Sequence, residues 1–475
     1  MGTSAEGPLP LSPNTYRSYD QITWYQPQFT VPGPIFSPQS ISVAIANRTW
    51  GGTNDYLGNR LIAWFADSID FGKIWFNFRI RIDQHGREAG DVGYLSDEGG
   101  SFTYDPDRIV MDWRINDHVH LRFGKDRFNW GPLKLGGLLV SDYNQGYNML
   151  WQKYTLGPFV LKGFSTQLNN TPWQEKGDPE IPDSVTVYKR YFSASRLELY
   201  REYWGVALAQ AIIYSGENRS FEIPYLLPFY PYHYGQLSVW REGNNNENTY
   251  GALDFYAKLI RKQLTLYGEI LVDDFQGETD ARSQSVQNAI GYMFGAELAV
   301  GETWHAFVEG GKINSFVYNH VAGARLRYLN EHSFIGSPLG PDQVLVWGKV
   351  GRWLLPAWRL SAMFWVLGSG ERSVGYEYDS ELLHTTRDDV VPYGTVEWEQ
   401  LVWLRNELSL FTVGVCLDGG VLRYTNKGHI EREESVTPFV SLTVRAGVRF
   451  GGRGDDERES VLEDALGSSP SRSRE

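Results

Sequence analysis

Between Phe71 and Asp83 the side chains alternate without interruption. Ile74, Phe76, Phe78, Ile80 and Ile82 fall on one face, and Lys73, Asn77, Arg79, Arg81 and Asp83 on the other. A period of two over this length is a β-strand with one apolar and one polar side, because successive side chains of a strand point to opposite faces. The pattern returns along most of the chain. Arg108–Asn116 sets Ile109, Met111, Trp113 and Ile115 against Asp112, Arg114 and Asn116. Leu253–Ile260 leads to Leu264–Asp273 across Arg261-Lys262-Gln263. Val436–Phe450 places Val436, Val440, Leu442, Val444, Ala446, Val448 and Phe450 opposite Thr437, Ser441, Thr443, Arg445 and Arg449. About 20 segments of this kind can be counted, the weakest being Ile41–Asn47 and Ser333–Ser337.

The connections narrow the choice further. Short breaks fall near Asp67–Ile69, Asn116-Asp117, Gly157-Pro158, Glu202-Tyr203, Arg261–Gln263, Gly301-Glu302, Leu355–Ala357 and Arg405–Glu407. Long polar breaks fall near 84–107, 125–148, 169–189, 215–250, 275–287, 368–395 and 425–435. The two kinds alternate. In an up-and-down sheet, alternate connections lie at opposite ends, so one end carries tight turns and the other long loops. That asymmetry marks a transmembrane antiparallel barrel with short periplasmic turns and long extracellular loops. An even strand number is expected, about 18 within a range of 16 to 20. Closure also removes the open edges that so large a sheet would expose. The last strand ends on Phe450, an aromatic end of the kind the barrel-assembly machinery reads; here a 25-residue tail follows it.

Composition agrees and excludes alternatives. The chain has 475 residues and a net charge of −13, which argues against a nucleic-acid partner. Its one cysteine, Cys416, excludes an internal disulfide. No run approaches the roughly 20 apolar residues of a helical span. The start, MGTSAEGPLPLSP, has neither a basic nor an apolar signal region, so no signal peptide is legible. The expected organisation is a lead-in segment at 1–40, periplasmic or lumenal, a barrel at 41–450 and a disordered tail at 451–475. Its surroundings would be outer-membrane lipid and lipopolysaccharide-type glycolipid.

If the apolar face meets lipid, the polar face lines the lumen. The phases put Lys73, Arg79, Arg81, Arg114, Arg122, Lys258, Arg325, Arg327, Arg445 and Arg449 inside, against a smaller acidic set of Asp112, Glu269, Asp273 and Glu309. A basic wall attracts anionic solutes or acidic sugars; alternatively these charges pair across the bore into a ladder that fills it. The segment 123–148 (FGKDRFNWGPLKLGGLLVSDYNQGYN) is dense in glycine and proline and is expected to fold inward as a constriction. Trp130, Gly131 and Pro132 would form it with Arg127, Ser141 and Asp142.

Three blocks carry a family resemblance. They are Phe123-Gly-Lys-Asp with Asn129-Trp-Gly-Pro and Leu138-Leu-Val-Ser-Asp142; Tyr267–Phe275; and Gly336–Asp342 before Val344–Trp353. In this order they resemble the capsule-assembly outer-membrane family typified by Wzi. The family's Ser-Asp-Asn-Ala stretch is poorly kept, since Tyr143 and Asn144 follow Asp142. The resemblance implies a barrel of about 18 strands that binds polysaccharide at the cell surface and helps organise a capsule. The residues alone leave a second reading open, a porin-like channel for small solutes, anionic ones included.

Other clusters say less. His118 and His120 share a strand face, but lumenal lining is the simpler reading; no metal and no cofactor are expected. Asp273-Asp274 with Glu278 and Asp280 has oxygen ligands for a calcium ion, or is a solvated loop start. Glu269 and Asp273, four apart on a strand, stand about 13 Å from each other, beyond the glycosidase window. Neither a nucleophile elbow, a zinc helix motif nor a P-loop occurs, so no enzyme is expected. Tyr225, Phe229, Tyr230, Tyr232 and Tyr234, set among prolines, could stack on sugar rings, or form an interfacial belt or a loop core.

Overall fold

The structure is a computed structural model that describes residues 28–29, 40–52, 57–83, 103–143, 146–173, 186–241, 246–274, 289–301, 303–320, 323–330, 333–372, 391–410 and 413–450. The expected lead-in and tail lie almost wholly outside them. Among the described residues eighteen strands pair in chain order: β1 Ser40–Gly52, β2 Leu57–Asp70, β3 Ile74–Asp83, β4 Thr103–Arg114, β5 Val119–Asp126, β6 Tyr147–Leu156, β7 Phe159–Gln167, β8 Thr186–Tyr200, β9 Trp204–Gly216, β10 Glu247–Leu259, β11 Leu264–Asp274, β12 Ala289–Val300, β13 Trp304–Ile313, β14 Gln343–Leu355, β15 Trp358–Ser369, β16 Glu397–Leu410, β17 Val413–Thr425 and β18 Glu434–Phe450. Every neighbouring pair is antiparallel. β18 returns to β1 through a register running from Ile41↔Phe450 to Gly52↔Phe439. The sheet is therefore closed, and its backbone groups are satisfied within the wall.

The outer face keeps the period of two. On β14 Val346 and Val350 are exposed while Leu345, Trp347 and Lys349 are buried inside. On β16 Val402 and Leu404 are exposed and Leu401, Trp403 and Arg405 buried. Phe76 and Ile109 lie exposed on the same outer face. Near the short turns this apolar band ends in aromatic rings: Phe71, Tyr203, Trp204, Trp304 and Trp358 are all exposed. Arg352 stands 5.1 Å over the Trp304 ring and Lys262 5.3 Å over the Tyr203 ring. Rings with a cation beside them suit the boundary between hydrocarbon and water.

Two local expectations change. The break expected at Arg405–Glu407 does not exist, because β16 runs through to Leu410. Arg405 is an inward residue that donates to Asp418 of β17 at 2.7 Å, so a charge that reads as a turn is a buried strand position. Ser333–Ser337 is not part of the wall. Ser333–Phe334 pairs with Leu329–Asn330 in a small hairpin within the connection between β13 and β14. That connection, 314–342, is a long one that the sequence pattern does not reveal.

Candidate functional site: a lumen filled by two inward segments

The lumen contains protein. The β5–β6 connection folds inward, with Trp130 and Val140 bridged and their neighbours Leu133, Leu135, Leu138 and Leu139 nearly or wholly buried. The β13–β14 connection adds Val317, Tyr318, Leu326, Tyr328 and Ile335, each fully buried. Both belong to one apolar cluster that includes wall residues from Phe164 and Phe192 round to Trp347, Trp365 and Trp403. Beneath Leu135 a void of about 10 Å³ is bounded by Trp347, Met363, Trp365, Leu401 and Trp403, space for about one water.

Wall side chains hold the backbone of both segments. Glu269 of β11 accepts the Leu138 N–H at 2.6 Å. Glu309 of β13 accepts the Lys134 N–H at 2.7 Å, the Tyr267 hydroxyl at 2.8 Å and the Trp347 indole N–H at 3.0 Å. Asp273 accepts the Tyr318 N–H at 3.0 Å. Arg190 of β8, only 2 % exposed, donates to the carbonyls of Arg325, Arg327 and Leu329. The segments also bind each other: the Tyr318 hydroxyl donates to Leu138 O, Tyr328 to Leu139 O, and Ser141 Oγ to Gly336 O. Buried backbone groups left without such partners would each cost on the order of 1–3 kcal/mol. Gly131 is required where it stands: its φ is +111°, and a Cβ there would lie 1.6 Å from Glu269 Oε1.

Beside and below this apolar layer the lumen is charged and largely paired. Arg122 donates to Asp112 and Asp126, and Arg108 to Asp126. Arg196 bridges Glu198 and Asp254, and Lys162 reaches Glu198 at 3.0 Å.

The ten basic residues assigned to the lumen wall are placed differently from one another. Arg122 belongs to this ladder. Arg114 stacks 5.1 Å over Trp75, and Lys258 5.5 Å over the Tyr256 ring. Lys73 sits in a short turn and donates to Ile115 O. Arg79 is half-buried on β3. Arg325 and Arg327 are not on a strand: Arg325 lies in a single 3₁₀ turn, Gly323–Leu326, and Arg327 just beyond it, within the second inward segment. Alternation seen in a short stretch does not say whether a wall strand or a packed loop carries it. The side chains of Arg81, Arg445 and Arg449 lie outside the described residues. In the first inward segment Trp130 is 6 % exposed and Ser141 buried. Gly131 closes on Glu269, and burial pushes the Asp142 carboxyl above its ordinary range against the pull of Arg127. The half-buried Pro132 separates Gly131 from the buried Leu133.

The β9–β10 connection, 217–246, goes the other way. Along β9 the exposed Leu208 shares its face with Gln210, Ile212 and Tyr214, so that face is the outer one. Near the long-loop end it is covered by a strap carrying two helices, α1 Ile223–Leu226 and α2 Tyr232–Arg241. Tyr225 and Tyr232 are buried there at 3 % and 1 %, packed with Tyr191, Ile212 and Tyr214. They present no ring face to a sugar. Tyr230 is partly buried against them, while Phe229 and Tyr234 are each 68 % exposed. The strap also meets outward polar groups of the wall. Gln152 donates to Leu226 O, Ser165 to Tyr225 O and Gln210 to Tyr230 O, and Glu247 accepts the Tyr225 hydroxyl.

A closed antiparallel wall, an apolar outer band and an aromatic girdle at the short-turn end define a barrel of the outer-membrane class. No family model and no curated protein matches the sequence. Solved structures do. One is Wzi, an outer-membrane protein involved in group 1 capsule assembly in Escherichia coli and described as a carbohydrate-binding β-barrel. It is 14 % identical with a TM-score of 0.54, over 84 % of this chain and 83 % of Wzi. Others are OprD of Pseudomonas aeruginosa (10 % identity, TM-score 0.46, 88 % of this chain and 99 % of that one) and OpdK of Pseudomonas aeruginosa with vanillate (10 %, 0.49, 86 % and 98 %).

Proposed function

We propose that this barrel binds and organises surface polysaccharide of the capsular type, without catalysis. The observation that supports this reading over a channel is the occupied lumen: two inward segments, held by Glu269, Glu309, Asp273 and Arg190, pack into one apolar cluster with the wall among the described residues. A barrel that does not conduct offers its long-loop end as the working surface, where polysaccharide is met. Wzi, similar in fold, is described as carbohydrate-binding. Insertion by the barrel-assembly machinery and packing among lipopolysaccharide-type glycolipid belong to the same reading.

Planar-bilayer recordings test it. The purified barrel should be electrically silent and retain acidic capsular polysaccharide on a column. Deleting 133–141 should introduce conductance steps. Large steady openings by the intact protein, with no polysaccharide retained, would replace this reading with a porin for small solutes.

A further inference from the structure

The short-turn half of the lumen holds cations that its own acids do not match. Lys349 of β14 is 4 % exposed and faces inward. The groups acting on it electrostatically are Arg359 of β15, Arg405 and Glu407 of β16 and the Cys416 thiol of β17. The register explains the grouping: Gly351, Ser361 and Arg405 stand side by side on three strands, with Arg359 opposite Glu407 one step further along. Asp418 is engaged by Arg405 at 2.7 Å and by the Trp403 indole at 2.7 Å. Glu407 Oε1 reaches Arg405 only at 4.0 Å. Three cations thus face two carboxylates. Among the described residues neither Lys349 nor Arg359 has a carboxylate within ion-pair distance.

Polar atoms beside them lack partners too. Ser361 Oγ and Glu407 Oε2 are buried without a hydrogen bond. Ser361 is 2 % exposed, and the Arg359 guanidinium lies over Gly351 opposite it: a Cβ at Gly351 would stand 3.3 Å from both Arg359 Nε and Ser361 Cβ. Buried charges in proteins are paired, because an unpaired one loses its hydration without return. An excess of positive charge with an orphaned hydroxyl is the complement of an oxyanion: the cations supply charge and N–H donors, and Ser361 an O–H donor.

We propose that Lys349, Arg359 and Ser361 form an anion site inside the lumen that binds one carboxylate or phosphate group. It is separate from the polysaccharide surface at the long-loop end. Two sources share this chemistry, free inorganic phosphate and the acid group of a uronic sugar, and a titration distinguishes them.

The barrel in neutral detergent, dialysed into low-anion buffer, is titrated with sodium phosphate, sodium glucuronate or sodium chloride at matched ionic strength. The readout is the temperature at which the compact band on a denaturing gel converts to the unfolded one. Phosphate, glucuronate or both should raise that temperature by several degrees and chloride should not. The single variants Lys349→Met and Arg359→Gln should lose at least tenfold in apparent affinity while still forming the compact band. Arg423→Gln, an exposed pair partner at the long-loop end, should respond like the parent. Equal shifts with chloride, no shift with any anion, or unchanged affinity in both lumen variants would overturn the site. None of these results bears on whether polysaccharide is retained at the surface.

Discussion

Two long connections leave the same end of this barrel and bury themselves on opposite sides of its wall. The segment after β5 turns into the lumen, and the strap between β9 and β10 turns out over β6 to β10. Each has its backbone met by wall side chains, but the chemistry differs. Carboxylates and an arginine hold the inner segments, where charge can be paired on all sides. One serine, two glutamines and one glutamate hold the strap, on a face that would otherwise meet lipid. Outward polar residues cannot be left to hydrocarbon. The strap is therefore part of the wall's solvent rather than a loop that happens to lie there, while the inner segments determine whether the bore is open.

Removing the strap should have the largest effect. Replacing 217–246 with a short glycine-serine linker bares Gln152, Ser165, Ser193, Gln210, Glu247 and Thr249 to lipid, at roughly 1–3 kcal/mol for each polar group. The variant should fail to give the compact, heat-modifiable band. A normal band would show that lipid headgroups can replace the strap.

Next comes Glu309→Ala, which removes the acceptor of three hydrogen bonds on the inner side. It should cost about 3 kcal/mol and lower the unfolding midpoint, with a rise in conductance noise as the segment loosens. If both stay at parent values, the inner segment is held elsewhere.

A smaller, pH-dependent effect belongs to His320, in the second inward segment. Burial, with the nearby charge of Arg325, pulls it down to about 4. The unfolded chain therefore takes up this proton first. The stability it protects is complete above the ordinary value of about 6.5 and is lost as pH falls from there toward 4. The unfolding midpoint should decline over that window, less so in His320→Gln. Identical slopes would remove His320 from the account.

The mildest test samples the comparison without disturbing it. Leu208 and Ile212 share the outer face of β9, 61 % and 0 % exposed. Cysteine at 208 should react with a lipid-soluble maleimide and cysteine at 212 should not, until the strap is removed.

The barrel was legible because lipid on one side and protein on the other impose a period of two that Phe71–Asp83 and Val436–Phe450 display openly. The inward course of Trp130–Asp142 was legible for a different reason: glycine at Gly131 and proline at Pro132 announce a constrained path. The segment 314–342 escaped notice because its packed residues, Tyr318, Tyr328 and Ile335, are those a strand would also use. Tyr225 and Tyr232 take the loop-core alternative, which the sequence left open because an aromatic ring bound for a core and one bound for a ligand have the same side chain.

Closure and an even strand number between 16 and 20 thus followed from the sequence by itself, since both depend on local alternation and turn chemistry. Only the tertiary structure decided which connections fill the lumen, which one covers the wall, and which cations find a carboxylate. The filling of the lumen rests on partners more than a hundred residues apart, such as Leu138 with Glu269 and Arg190 with Arg327, and the strap and the charge pairs on partners carried by different elements. No local pattern records a hydrogen bond across a closed barrel.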